Sequence, residues 1–447
     1  MQRIPRAPVK PVDGRAVGRA GLFGLLGVNV LIVTLFFLQA GPSANALITV
    51  ARLFAVYSFL ALAFQLLLAA RVPWLDRRVG ADRLTTIHRW TGCTVLCTLT
   101  AHILLVISGY AELDRTNAIA EFLDLAGTQV SILAGAVAFG LIVVVGLTSA
   151  RIARTRLPYE AWHAMHFLTY AAVVLAFTHA LTQTTTFAVS PLAKGYLWTV
   201  WIGALGSVLV FRFLLPLIRN ARHQFRVAAV VPESPDVVSV YVTGRDLHKL
   251  PAVAGQFFVW RFQMPGRRFR ANPFSLSAAP DGRHLRLTAK AVGTGSAGLR
   301  ALRPGTRVFA AGPYGAFTHQ HRTRENALLI AGGIGITPIR ALLESVTGHV
   351  VLLYRVRDQR DAVLLGELRH LAHMRGATLH VLAGPTASYR YGPPLGPAAV
   401  HGMVPDVSTR DVFVCGPAGM TSTVLATMRT LNVPAKQIHS ERFVFAG

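Results

Sequence analysis

Two apolar stretches of this sequence carry histidines where hydrocarbon surroundings would make them costly. Residues 84–110 contain His88 and His102, and residues 161–181 contain His163, His166 and His179. An ionisable side chain inside a membrane span is expensive to place and marks function by default. On an α-helix, the fourteen residues from His88 to His102 return to within about 40° of one face and advance roughly 21 Å. The thirteen residues from His166 to His179 advance about 20 Å. Two helices thus offer imidazoles at two matching depths, His88 with His166 and His102 with His179. Axial ligation of two stacked haem irons is the chemistry that suits such pairs. His163 would give an advance of about 24 Å, a poorer match, and is assigned to the cytoplasmic headgroup region beside a propionate. A hydrogen-bonded core histidine is the simpler reading of any one of these residues; four at paired depths favour the metal. The pairing carries one geometric conflict. Thirteen residues rotate about 140° on an ideal helix, so either the fifth span is irregular or the two haems approach it from different sides.

The C-terminal half holds residues suited to rings and phosphates. Residues 271–277 read ANPFSLS. Pro273 cannot donate to a central ladder and marks a strand edge. Phe274 followed by Ser275 offers an aromatic face and a hydroxyl, as an isoalloxazine requires. Beyond it lie Lys290 and the turn Gly293-Thr294-Gly295-Ser296, whose backbone N–H groups and hydroxyls suit a diphosphate. Residues 326–338, NALLIAGGIGITP, run an apolar strand into Gly332, Gly333 and Gly335, then Thr337 and Pro338 at the start of a helix. That is the setting of a nucleotide phosphate: tight turn, close backbone approach, helix N-terminus. Arg355 and Arg357 end the next strand, where a 2′-phosphate would be read, and favour NADPH over NADH; Asp358 and Asp361 temper that preference. A last strand runs into Cys415, Gly416 and Pro417, a second glycine turn suited to nicotinamide. Near the end, Phe443 or Phe445 offers a ring to cover the flavin.

The elements that must position these residues follow from charge and hydropathy. The chain has 447 residues, 52% hydrophobic and 15% charged, with a net charge of +25. So basic a chain permits a nucleic-acid partner, but its arginines flank apolar spans, as in a membrane protein. Three cysteines with no CxxC pair argue against iron–sulfur or structural zinc sites. A basic segment, 1–20, precedes six spans at about 21–40, 46–70, 84–110, 130–149, 161–181 and 195–218. Residues 71–83 carry Arg71, Arg77, Arg78 and Arg83, and residues 151–156 carry three more arginines. Residues 111–129 carry Glu112, Asp114, Glu121 and Asp124. The arginine loops and the N-terminus are therefore expected in the cytoplasm, with the acidic loop outside. Six spans return the C-terminal half to the cytoplasm. The expected fold is a membrane all-α six-helix haem domain (21–219), then an antiparallel β-barrel for FAD (222–322) and an α/β nucleotide-binding domain (325–447).

Taken together, these residues resemble the ferric reductase and NADPH oxidase family of transmembrane flavocytochromes b, over about residues 20–447. His88, His102, His166 and His179 match that family's spacings, and the soluble half is similar to ferredoxin–NADP reductase. Asn272-Pro273-Phe274-Ser275 fills its flavin motif, Gly333–Pro338 its nucleotide loop, Cys415-Gly416-Pro417 its second loop and Glu441-Arg442-Phe443 its terminal motif. Asn272 stands where the family usually has His and ferredoxin-type reductases have Arg, so Arg270 is the candidate for the diphosphate contact. The resemblance implies electron transfer across the plasma membrane, from cytoplasmic NADPH through FAD and two b-type haems. The acceptor would be a ferric chelate, dioxygen or a protein partner. The competing readings are an electron-transfer subunit of a larger complex and a metal transporter with a regulatory nucleotide domain.

Overall fold

The computed structural model describes residues 14–150, 156–157, 159–264, 271–292, 296, 298–389 and 392–442. Its helices are α1 (Gly14–Gln39), α2 (Ala46–Ala69), α3 (Pro73–Val79), α4 (Ala81–Leu113), α5 (Ala118–Thr128), α6 (Val130–Ser149), α7 (Tyr159–His166), α8 (Leu168–Gln183), α9 (Pro191–Ser207) and α10 (Leu215–His223). Among the described residues, six helical segments are long and apolar enough to cross a membrane. The chain is a membrane protein.

Two compact units emerge, one formed by 20–72 and 83–213, the other mainly by 73–82 and 214–445. In the first, α2 begins where Asn45 Oδ1 accepts the N–H of Ile48 at 2.9 Å. The same amide donates to Gly109 O at 2.8 Å, holding the end of α4. Ser58 donates to Thr98 between these helices at 2.7 Å. Phe59 and Phe177 pack against the buried Trp201, and Phe187 packs against Phe59. The fifth span is broken. Helix α7 stops at His166, Phe167 is a turn and α8 starts at Leu168. Thr169 Oγ1 satisfies His166 O at 2.6 Å, which stabilises the irregular turn. The sixth span is also irregular: Val208–Leu214 widens to a π-helix between α9 and α10. Pro216, which has no N–H for the carbonyl four residues back, lies just beyond.

The second unit contains eleven strands among the described residues: β1 (Arg226–Ser234), β2 (Val237–Thr243), β3 (Phe257–Phe262), β4 (Asn272–Ser275), β5 (His284–Lys290), β6 (Val308–Tyr314), β7 (Ala327–Gly332), β8 (Val350–Arg355), β9 (Thr378–Leu382), β10 (Asp411–Gly416) and β11 (Ile438–Arg442). The first six form two antiparallel sheets, β1-β2-β5 and β4-β3-β6. Antiparallel bridges Leu276↔Leu287 and Arg226↔Arg307 join the sheets at both edges and close a barrel. Strand β3 shows why: Phe258, Trp260 and Phe262 point inward at period two, beside Val240, Leu276 and Leu287. Helix α10 is held to β6 by Asn220, whose side chain accepts from Ala310 N at 2.9 Å and donates to Ala310 O at 2.8 Å. Helix α3 docks nearby, with the buried Asp76 carboxylate accepting from Gly315 N at 2.6 Å.

The remaining strands form a parallel sheet ordered β11-β10-β7-β8-β9. Helices α11 (Ile336–Ser345) and α12 (Leu365–Met374) cover one face, and α13 (Pro397–Met403) and α14 (Ala418–Thr430) the other. With both faces covered, β7 and β10 read as continuous apolar runs.

Candidate functional site

The membrane unit brings His88 and His166 together. The rings of His88 and His166 lie 6.2 Å apart between centroids. Two imidazoles bound to one metal, each through a nitrogen about 2 Å from it, stand roughly 6 Å apart on the same measure. His102 Nδ1 is 3.0 Å from Ala51 O, and His179 Nδ1 is 2.9 Å from Ser131 O. A carbonyl accepts only from N–H, so Nδ1 carries the proton in both rings and Nε2 keeps its lone pair. That is how metal-binding histidines are oriented and made more basic. Gly135 permits the approach of α6: a Cβ there would lie 2.8 Å from the His179 ring. His166 ends α7 and His179 lies on α8, with the irregular residue Phe167 between them.

Two neighbours carried no sequence signal. Trp162 stacks on His166 at 5.1 Å. Gln65 Nε2 donates to His88 O at 2.9 Å and lies 3.4 Å from His88 Nε2. His163 packs edge-on against Phe167. Among the described residues no three His, Cys, Asp or Glu side chains gather as a metal cage.

In the barrel, Asn272, Pro273 and Phe274 pair with Trp260, Val259 and Phe258. Pro273 lies on β4, the edge strand of its three-stranded sheet. The Ser275 hydroxyl is buried and has no partner among the described residues. A buried polar atom without a partner is costly, and a flavin ring polar group would satisfy it. Ser296 Oγ accepts from Val292 N at 3.1 Å. Lys290 is paired with Asp236 at 3.1 Å. Arg270, Gly293, Thr294, Gly295, Phe443 and Phe445 lie outside the described residues.

In the parallel sheet the chain leaves β7 toward β8 and β9 on one side, while β10 and β11 lie on the other. The crevice between β7 and β10 is thus the switch point where such sheets bind ligands. Both glycine turns end there. A Cβ on Gly335 would lie 2.4 Å from Cys415 O, and one on Gly416 would lie 3.1 Å from Gly332 N. Only glycine allows these backbones to touch. Gly333 has φ +51, and Thr337 Oγ1 donates to Ile334 O at 3.1 Å. Pro417 precedes α14.

The two arginines separate. Arg355 is committed to carbonyls, donating to Leu382 O at 2.9 Å and Gly384 O at 2.6 Å. Arg357 is exposed, with no side-chain partner among the described residues. Bonding to Arg360 holds the Asp358 carboxyl at about 2, so it stays charged and paired.

Comparison with known proteins covers both halves. Residues 54–177 match the family described as ferric reductase like transmembrane component, a span that includes His88, His102 and His166 and ends just before His179. Residues 329–425 match the oxidoreductase NAD-binding domain and include both glycine turns. Ferredoxin–NADP reductase B of Sorangium cellulosum is 29% identical over 250 residues, 51% of this chain and 100% of that protein. The ferredoxin–NAD(+) reductase component of the alkene monooxygenase system of Xanthobacter autotrophicus is 30% identical over 237 residues, 50% of this chain and 70% of that protein. The flavohem-like FAD/NAD binding domain of nitric oxide dioxygenase from Vibrio cholerae aligns at 23% identity and TM-score 0.39, covering 50% of this chain and 99% of that one.

Proposed function

Because the chain belongs to the ferric reductase-like transmembrane oxidoreductases that end in a ferredoxin–NADP reductase-type module, we propose that it carries electrons from cytoplasmic NADPH to an acceptor outside the cytoplasm. FAD and two b-type haems are its carriers, and a ferric chelate or dioxygen is the acceptor. Bound flavin would split a hydride pair and bound haem would relay single electrons.

The residues divide the work. Gly332, Gly333, Gly335 and the first turn of α11 cradle the nucleotide phosphates, and Arg357 reads the 2′-phosphate. Cys415, Gly416 and Pro417 wall the nicotinamide side of the crevice. Asn272–Ser275 lines the flavin, with the Ser275 hydroxyl as a polar contact. His88 with His166, and His102 with His179, hold the irons. Iron held by two histidines would have no open position, so the acceptor would be reduced without binding the metal. The pair at 6.2 Å together with the preset Nδ1–H tautomers of the other pair carries this reading.

The test is reconstitution of the whole chain in proteoliposomes with flavin and haem. NADPH should bleach the flavin, shift the Soret band and reduce either ferric chelate or oxygen, offered in turn. Replacement of His102 by Leu should leave one haem per chain and abolish acceptor reduction while the flavin still bleaches. A variant that retains two haems overturns the ligand assignment, and a flavin-loaded preparation that takes up no porphyrin overturns the relay.

A further inference from the structure

The flavin barrel and the nucleotide domain are joined by a chain of charges outside every recognised motif. Arg286 on β5 has only 4% of its side chain exposed. Its Nε donates to Ser277 Oγ at 3.0 Å and its Nη2 to Ser277 O at 2.7 Å. Ser277 lies two residues past Ser275, on the continuation of the flavin strand. Arg286 Nη1 also donates to both oxygens of Glu367 on α12, at 2.8 and 3.0 Å. Glu367 Oε2 accepts in turn from Arg340 Nε at 2.8 Å. Arg340 lies in α11, three residues past Thr337 of the nucleotide loop. Its Nη1 is 2.7 Å from Glu344 Oε2, and that oxygen accepts from Ala279 N at 2.5 Å, closing the circuit back to the barrel.

One carboxylate thus ties the strand behind the flavin to the helix that begins at the nucleotide phosphates. Stability alone explains this poorly. Desolvating two guanidiniums and a carboxylate costs several kcal/mol, and apolar side chains of similar volume would often serve as well. What the fork geometry of arginine adds is a fixed register.

We propose that Glu367, clamped between Arg286 and Arg340, is a positioning residue that sets how closely the nicotinamide approaches the flavin. In the step it serves, hydride leaves the reduced nucleotide for the oxidised flavin, so the nucleotide loses two electrons and the flavin gains two. A shift of about 1 Å at such a step costs up to roughly a hundredfold in rate.

The inference rests on the flavin–nicotinamide part of the proposed function, and the experiment separates the two. The full-length flavin-loaded protein, wild type or Glu367→Gln, is mixed rapidly and anaerobically with NADPH. In the variant the limiting rate of flavin bleaching should fall at least about tenfold. Half-saturating nucleotide should change by less than about twofold, and the isotope effect with 4-deuterated nucleotide should rise, because misplacement slows hydride transfer itself. Arg340→Lys keeps a charge but loses the planar donor, so it should lie between them; it also decides the matter if Glu367→Gln does not fold. Equal limiting rates and isotope effects, or a loss confined to half-saturation, overturn the positioning role. No bleaching in the wild type overturns the flavin–nicotinamide reading instead.

Discussion

An arginine near a phosphate site acts on the ligand only if its guanidinium is not already committed. That distinction separates two residues with the same sequence signal. Arg355 donates to Leu382 O and Gly384 O and stacks over Tyr389 at 5.6 Å, so it ties β8 to β9. Arg357 reaches solvent at the same strand end. Charge-assisted bonds are worth about 1.5–3 kcal/mol. Arg357→Ala should therefore raise half-saturating NADPH about tenfold or more and leave NADH unchanged. Arg355→Ala should instead lower thermal stability while hardly altering the ratio between the two nucleotides. Flavin-reduction titrations with both nucleotides, beside unfolding curves, check the pair. If Arg357→Ala affects both nucleotides equally, Arg357 does not read the 2′-phosphate. The buried Ser275 hydroxyl supports a parallel expectation. Removing an unpartnered polar group costs the apoprotein nothing, so Ser275→Ala should leave apoprotein stability intact or raised. Flavin affinity should weaken by about 1 kcal/mol, read by fluorescence titration.

Helices and strands had clear signatures, whereas contacts between them did not. The six spans were legible because arginines and acids bound uninterrupted apolar runs, and the glycine turn after β7 because strand, turn and helix are contiguous. The 13-residue histidine spacing left two alternatives open, an irregular fifth span or haems on different sides, and the irregular residue Phe167 is visible only in the structure. Gln65 against His88, 23 residues apart, and Arg286 against Glu367, 81 apart, left no trace, because period and turn chemistry say nothing about side-chain pairs on distant elements. Lys290, next to a glycine turn, also pairs with Asp236 across the strand end, a contact that spacing did not signal. Gly135 tests the helix pairing. Gly135→Val would drive branched carbon into the ring of His179 and push α6 away from α8. The outer haem should be lost while the inner one and flavin bleaching survive. Retention of both haems would show that α6 is free to move aside. The Arg286–Glu367–Arg340 bridge has its own pH signature. Burial alone would raise the Glu367 carboxyl; the bond from Arg286 and the charges of Arg286 and Arg340 outweigh it and hold it low. Tyr241 and Glu344 are the other titratable groups facing the cluster. A depressed carboxyl contributes above its unfolded value, about 4.3, and loses that contribution as pH falls through the folded one. The flavin-bleaching rate should thus be insensitive to this group from pH 6 to 9 (about two units or more above that value) and fall only in acid.

At the scale of the whole molecule, the proposed relay requires the two ends of the electron path to lie on opposite sides of the bilayer, and the charge pattern of the sequence agrees with that. By the positive-inside rule, the arginine-rich loops at 71–83 and 151–156 are expected on one side, and the loop with Glu112, Asp114, Glu121 and Asp124 on the other. If the proposed relay is right, outward electron transfer separates charge, so turnover should build a potential. Each charge then works against about 2.3 kcal/mol per 100 mV. Sealed vesicles with the nucleotide domain facing the bath should therefore oxidise added NADPH and reduce a membrane-impermeant ferric chelate trapped inside. Their rate should decay within the first turnovers and recover several-fold when a potassium ionophore collapses the potential. The same chelate placed in the bath with NADPH should be reduced far more slowly, because the flavin edge alone would have to serve it. Reduction confined to the chelate in the bath, with no ionophore effect, would mean that electrons leave at the flavin, with the histidine pairs off the path.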